Sequence, residues 1–257
     1  MDETSHRKGH TYITVVVDHE RHRVIWAHDG VGGDVFDLFF KALTPEQHAS
    51  IRVVTGDGAR WIDPCVGRWR PNAERVLDGF HIVSWMTDAL DKVRKRLWNQ
   101  ARRDGDEKTT KRMRGVKYAV LKNPGDLTDR QSEAFGNLRN TGPKGQLYRS
   151  WQLKELLRTL LKHPLEQARG ELRHWVFRAS HSRIPEIVEP AKKIRRRRPD
   201  ILRTIQLGYS NARLEAFNNR IKVTIRMAYG FHHVDNLIAL VMLRCGGLDI
   251  RLPQPRT

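Results

Sequence analysis

The chain has 257 residues, with 47 Lys plus Arg against 29 Asp plus Glu and a formal net charge of +18. That length suits one large α/β domain, or one domain carrying an insertion, and so much positive charge points to a polyanion; nucleic-acid backbone fits best, because each neutralised phosphate releases counterions. Its two cysteines, Cys65 and Cys245, form no C-x-x-C pair, and the most apolar run, 237–243, is too short to span a bilayer, so a disulfide framework, a zinc site and a membrane span are all excluded from the reading.

Tyr12–Val17 (YITVVV) is β-branched and aromatic and reads as a strand. A polar connection, Asp18–Arg23, leads to the apolar Val24–Ala27, which makes a hairpin. Asp34–Leu43 has the helical spacing of Phe36, Phe39, Phe40 and Leu43, with Asp34 as its expected N-cap. Pro45 starts a short turn or helix. Ile51–Thr55 reads as a buried strand ending in the turn Gly56-Asp57-Gly58, and residues 59–69 form a short amphipathic piece. Ala73–Leu77 is a further strand, followed by Asp78-Gly79-Phe80-His81 and a long helix to about 103.

Strands mixed with helices predict a mixed sheet covered on both faces. Residues 104–205 carry no strand signal, and helices are expected at 129–139, 145–162, 164–181 and 185–205. Within the last lies a dense basic run, Lys192, Lys193, Ile194, Arg195, Arg196, Arg197 and Arg198, which is either a solvated face or a nucleic-acid patch. Two helices, about 211–228 and 233–245, close the chain. The expected organisation is therefore 1–103 as the first part of an α/β core, 104–205 as a basic helical insertion, and 206–257 as helices completing the core.

The helix at 211–228, with Ser210 or Asn211 as its cap, has two faces. Leu214, Phe217, Ile221 and Ile225 form an apolar stripe, while Glu215, Asn219, Lys222 and Arg226 share the other side. An ordinary solvated stripe would look the same. Asp57 stands where a strand ends between two glycines, which leaves room for a ligand. Asp78 is similarly placed after the next strand, Asp2 precedes the hairpin, and Asp18 lies in its connection, where Asp is also a common turn former. Carboxylates from separate elements suit Mg²⁺, a hard cation that prefers oxygen ligands. The chain lacks H-E-x-x-H, a P-loop, G-x-G-x-x-G and a Ser or Cys nucleophile motif. Most of the twelve histidines read as surface residues. The polar first ten residues lack a signal peptide's apolar core, so the chain reads as cytoplasmic.

Four stretches resemble one family. They are DETSHRKGHTYITVVVDHERHRVIW, VVTGDGARWIDPCVGRWRPNAERVLDGFHIV, ALDKVRKRLWNQ, and NARLEAFNNRIKVTIRMAYGFHHVDNLIALVMLRC. They are similar to the transposases of the ISL-three insertion-sequence family, whose catalytic core is ribonuclease H-like: an α/β mixed sheet with flanking helices and, here, a large all-helical insertion. The resemblance implies a DDE triad of Asp2, Asp57 and Glu215, with Asp2 preferred to Asp18, holding two Mg²⁺ (or Mn²⁺) ions for cleavage and strand transfer of DNA. It implies supporting roles for Asp78, His81, Asn211 and Asn218. Lys222 and Arg226, with the basic run, are expected to contact DNA. A homo-oligomer on paired DNA ends is implied as well. Members carry an N-terminal zinc-binding segment and a helix-turn-helix module, and most of a first strand, that precede the part seen here. A truncated remnant that only binds DNA, and a host ribonuclease H-like nuclease, are the rival readings.

Overall fold

A computed structural model describes residues 1–7, 11–136, 138, 145–208 and 212–248, with the backbone alone at 212–215. It divides into two compact units, Met1–Asp78 with Tyr209–Thr257, and Gly79–Gly208.

The first unit is mixed α/β. Strands β1 (Asp2–Arg7), β2 (Thr11–Asp18) and β3 (Arg23–Asp29) form an antiparallel sheet in that order, and β4 (Val53–Gly56) runs parallel to β5 (Glu74–Leu77). The Met1 amino group donates to the Thr55 carbonyl at 2.8 Å, which seats the start of β1 beside β4. The helices are α1 (Gly33–Lys41), α2 (Pro45–Ser50), α3 (Ile62–Trp69) and, from the far end of the chain, α12 (Ala212–Met227) and α13 (Val234–Cys245).

The apolar run of β2 has a physical reason. Side chains alternate along a strand, and both faces of this one are covered. Ile13, Val15 and Val17 pack with Val24 and with Phe217, Ile221, Leu237, Val241 and Cys245 of α12 and α13. Val16 faces the other way, into a cluster with Phe36, Phe39 and Phe40 of α1, Val54 of β4 and Ile62, Cys65 and Val66 of α3. The antiparallel sheet thus carries an apolar cluster on each face, but the one mixed sheet expected from the sequence is two sheets among the described residues, because β4 pairs only with β5. The polar stretch 2–7, which has no periodicity of its own, is a strand because it pairs with β2 from Asp2↔Val15 to Arg7↔Thr11.

Two helix starts illustrate local control. Thr44 caps α2 in a capping box with Gln47, and Pro45 supplies the preset φ of the first turn. Helix α1 departs from expectation: its N-cap is Gly32 and not Asp34, which sits in the first turn. Gly32 has φ 97°, a conformation that disfavours a side chain, and its N–H turns to donate to Glu3 Oε1 at 3.0 Å. Asp34 still favours the helix through its charge near the N-terminus.

Asp37 ties α1 to α3. It accepts from Cys65 Sγ (3.0 Å), Trp69 Nε1 (2.7 Å) and Arg68 Nη1 (2.6 Å). The Cys65 thiol, and then the Trp69 indole and the Arg68 charge, hold its carboxyl below the usual value of 3.8 despite partial desolvation. Burial, and then Asp37, push the Cys65 thiol up to about 12, so it remains a donor. Asp37→Ala is expected to cost about 2 kcal/mol at pH 7, since the Cys65, Trp69 and Arg68 donors lose their shared acceptor. A depressed folded pKa makes this stabilisation complete above the ordinary aspartate range, and it is lost as pH falls through the lowered value. Urea titrations should therefore show the gap between wild type and variant closing below about pH 4; a gap independent of pH would rule out the ionic part of the clamp.

Among the described residues the second unit is helical: α4 (Gly79–Arg103), α5 (Glu107–Gly115), α6 (Lys117–Leu121), a 3-10 turn at Pro124–Asp126, α7 (Asp129–Gly136), α8 (Gln146–Leu160), α9 (Leu165–Ser180), α10 (Pro185–Arg196) and α11 (Arg198–Leu207). Helix α4, assigned from sequence to the core, packs within this unit. The single helix expected over 185–205 is two, divided at Arg197, because Pro199 cannot donate back along a continuous helix and fits the first turn of a new one. Helix α5 is so polar that its one buried side chain, Met113, leaves no periodicity to read. Lys154 is buried and donates to the carbonyls of Val120 (3.0 Å) and Lys122 (3.3 Å) while pairing with Glu155 at 2.8 Å. Among the described residues, no helix is long and apolar enough to cross a membrane.

Candidate active site

Asp2 opens β1, and Thr4, two residues on, projects to the same side of the strand. Asn218 on α12 meets both. Its Nδ2 donates to Asp2 Oδ2 at 2.6 Å, and its Oδ1 accepts from the Thr4 hydroxyl at 2.6 Å. A carboxylate can only accept, so Asp2 dictates which way the amide turns and leaves the amide oxygen for Thr4. Thr4 (2% exposed) and Asn218 (8%) are buried, so this clasp is shielded from competing water. The second oxygen of Asp2 accepts from the Glu3 N–H at 2.8 Å.

Asp57 follows β4 directly. Its Oδ1 accepts from the Ala59 N–H at 2.8 Å, the geometry of an Asx turn. Beneath it, the Arg75 guanidinium donates to the Gly56 carbonyl at 3.3 Å and to the Asp57 carbonyl, and pairs with Asp63 at 3.1 Å. One arginine thus gathers the carbonyls at the end of β4. Asp78 is buried, and its N–H donates to the Gly56 carbonyl at 3.1 Å.

The charges of these acids reach common neighbours. The Met1 amino group is lowered to about 6 by burial, against the pull of Asp2 first and then of Asp57 and Asp78, with Arg75 adding to the lowering. The Glu3 carboxyl is raised, first by burial and then by repulsion from Asp57 and Asp2, while its bond from the Gly32 N–H opposes the rise. Asp2 and Asp57, distant in sequence, therefore act on common neighbours.

Glu215 lies on α12 three residues before Asn218, so its backbone is within one turn of the clasp that holds Asp2. Its side chain, like Asn211 and Ser210, lies outside the described residues. Among the described residues no group of three His, Cys, Asp or Glu side chains is arranged to hold a metal ion, and Glu215 is not among those residues. Asp18 is occupied elsewhere: its Oδ1 accepts from the N–H groups of Glu20 and Arg21 in the β2–β3 turn. His81 sits in the first turn of α4, in the helical unit, edge-on to Phe80.

On α12, Phe217 and Ile221 are buried and Ile225 half-buried, whereas Asn219, Lys222 and Arg226 are exposed. The basic run separates into different roles. Lys192 pairs with Glu189 (2.8 Å), Arg197 pairs with Asp200 (3.0 Å), and Lys193 lies over the Trp85 ring at 3.6 Å. Arg195 and Arg196 are exposed. Thr4, Glu3 and Arg75 were not picked out from sequence. The i,i+2 spacing of Thr4 from Asp2 is the one signal that could have found it.

An Asp2–Asn218 clasp, a second aspartate at a strand end and a basic helix face are features of this chain, and the proteins it resembles are transposases of insertion sequences. The chain belongs to the ISL-three transposase family, whose model, described as Transposase, matches residues 1–241. The transposase for insertion sequence element IS1557 of Mycobacterium tuberculosis is 38% identical over 98% of this chain and 61% of its own length. The transposase for insertion sequence element IS1001 of Bordetella parapertussis is 28% identical over 90% of this chain and 56% of its own length. The chain thus spans about three fifths of the length of the curated relatives it matches. No solved structure matches it.

Proposed function

We propose that this chain carries the catalytic core of a DNA transposase and performs metal-dependent cleavage and strand transfer of phosphodiesters. The observation that carries this reading is the Asn218 clasp. It fixes the carboxylate of Asp2 against the helix that bears Glu215, while Asp57 shares the same electrostatic neighbourhood. An antiparallel sheet with apolar clusters on both faces and a parallel β4–β5 pair, with acids at the start of β1 and the end of β4, supports a ribonuclease H-like architecture.

The donor set suits a hard cation: Asp2, Asp57 and Glu215 offer carboxylate oxygens and would hold two Mg²⁺ (or Mn²⁺) ions. Such ions, when bound, stabilise the attacking and leaving oxygens of an in-line displacement at phosphorus. The protein's own residues do the rest. Asn218 and the Glu3 N–H aim the carboxylate of Asp2, the Ala59 N–H and Arg75 hold the turn of Asp57, and Lys222 and Arg226 offer charge to phosphates. Assembly as a homo-oligomer on paired DNA ends belongs to the same proposal.

The test is cleavage of duplex DNA carrying the element's ends, with Mg²⁺, Mn²⁺ or EDTA, by wild type and Glu215→Gln. Cutting that needs the cation and is lost in the variant supports the reading. Cutting equal in both proteins overturns the triad, and no cutting with any divalent cation would leave DNA binding alone as this chain's activity.

A further inference from the structure

A second feature of α12 faces away from the Asp2 clasp. A cleft of about 380 Å³ opens between α12 and α13, lined by Asn219, Arg220, Val223, Arg244 and Cys245. Asn219, Arg220 and Arg244 are exposed at its rim, and Cys245, 5% exposed, forms its floor. Among the described residues no carboxylate lines it. Arg244 is oriented by a hydroxyl: its Nη1 donates to Thr224 Oγ1 at 2.9 Å, and Thr224 in turn donates to the Arg220 carbonyl at 2.9 Å. Arg220 lies near the Phe217 ring, 5.6 Å from its centroid. Among the described residues neither guanidinium pairs with an acid. Both act on the same thiol, lowering Cys245 against the rise that burial imposes. Two positive charges thus converge on one small concavity.

We propose that this cleft seats a backbone phosphate of DNA, gripped by Arg220 and Arg244 with Asn219 as a further donor. The inference rests on DNA being the substrate of the neighbouring site. Guanidinium forks match phosphate oxygens in geometry as well as charge. A protein surface docked here would have to bury two uncompensated cations, which costs more than it returns unless an acid arrives with it. Asn219 follows Glu215 by four residues on α12, so a strand seated in the cleft would run along the helix that carries the proposed glutamate. The cleft differs in kind from the Lys192–Arg198 run, where three of the cations already have partners.

The test is fluorescence anisotropy with a labelled duplex in EDTA, across about 50–200 mM KCl. Three proteins are compared: wild type, the double variant Arg220→Gln with Arg244→Gln, and a control, Arg21→Gln with Arg52→Gln, which removes the same charge from an exposed part of the first unit. Thermal melts confirm that all three fold. Each phosphate contact contributes about 0.9 to the slope of log K against log salt, so the cleft variant should lose up to about 1.8 if each arginine releases one counterion, and the control should keep the wild-type slope. An unchanged slope in the cleft variant, or an equal loss in the control, overturns the proposal. So does saturable binding of inorganic phosphate by wild type with no change in the DNA slope, which would mark a small-anion site. EDTA prevents cutting, so the proposed catalysis is judged separately by the cation-dependent assay.

Discussion

Asp57→Asn is expected to lower metal-dependent DNA cleavage by roughly 10³-fold, because loss of one anionic metal ligand removes about 4 kcal/mol of transition-state stabilisation. The same substitution should leave the fold intact. Asn keeps the oxygen that accepts from the Ala59 N–H, and Arg75 still holds the backbone carbonyl of residue 57. Without divalent cation the variant should be slightly more stable than wild type, by about 0.5–1 kcal/mol, since one of several neighbouring negative charges disappears. Glu3, whose carboxyl Asp57 repels, is the group relieved. A paired measurement decides it, with single-turnover cleavage in Mg²⁺ and urea unfolding in EDTA. Activity and stability moving in opposite directions is the signature of an acid kept for chemistry. Unchanged cleavage, or a fall in both quantities together, would place Asp57 among ordinary turn residues.

Asn218→Asp is the second large effect. The new carboxylate would sit where an amide now donates at 2.6 Å to Asp2, so two like charges would share a largely buried space. At neutral pH the loss of stability should be about 3 kcal/mol, from a reversed hydrogen bond plus repulsion. Cleavage should fall about 10–100-fold, the usual cost of disturbing a group that orients a metal ligand. The sign of the pH dependence is specific. Repulsion raises the folded pKa of the shared pair above its unfolded value, so the folded state holds the extra proton and the defect shrinks as pH falls. Urea unfolding at about pH 5 and pH 7.5 reads this directly. Asn218→Ala, which adds no charge, should lose about 1–3 kcal/mol through the buried Thr4 hydroxyl left without its acceptor, with little dependence on pH. If the aspartate variant showed the same flat profile, the contact with Asp2 would carry no electrostatic weight.

Much of this chain was legible one residue at a time. Strand β2 announces itself because β-branched residues fill both faces, and α1 because its three phenylalanines recur at helical spacing. Both signals come from burial, which acts locally through periodicity. The family resemblance was legible too, in four stretches of which the motif from Asn211 to Phe231 is the longest shared pattern, and the family model matches residues 1–241. By contrast, β1 is polar and non-periodic, and becomes a strand through pairing with β2. Helix α5 is hidden by its polarity, and the N-cap of α1 went to Gly32 because the Gly32 N–H is needed by Glu3.

Charge, composition and periodicity by themselves pointed to a basic α/β protein with a helical block between two parts of its core, and the Gly-flanked strand end marked Asp57; Asp2 and Asn218 were singled out through the family resemblance. Only the tertiary structure decided that Asn218 joins Asp2 to Thr4 across 216 and 214 positions of sequence, that Arg75 gathers the carbonyls under Asp57, and that three of the six cations in the basic run have partners within their own unit. The physical reason is one of range. Propensity and periodicity are set by neighbours a few residues away, whereas a hydrogen bond between a strand and a distant helix depends on how layers pack.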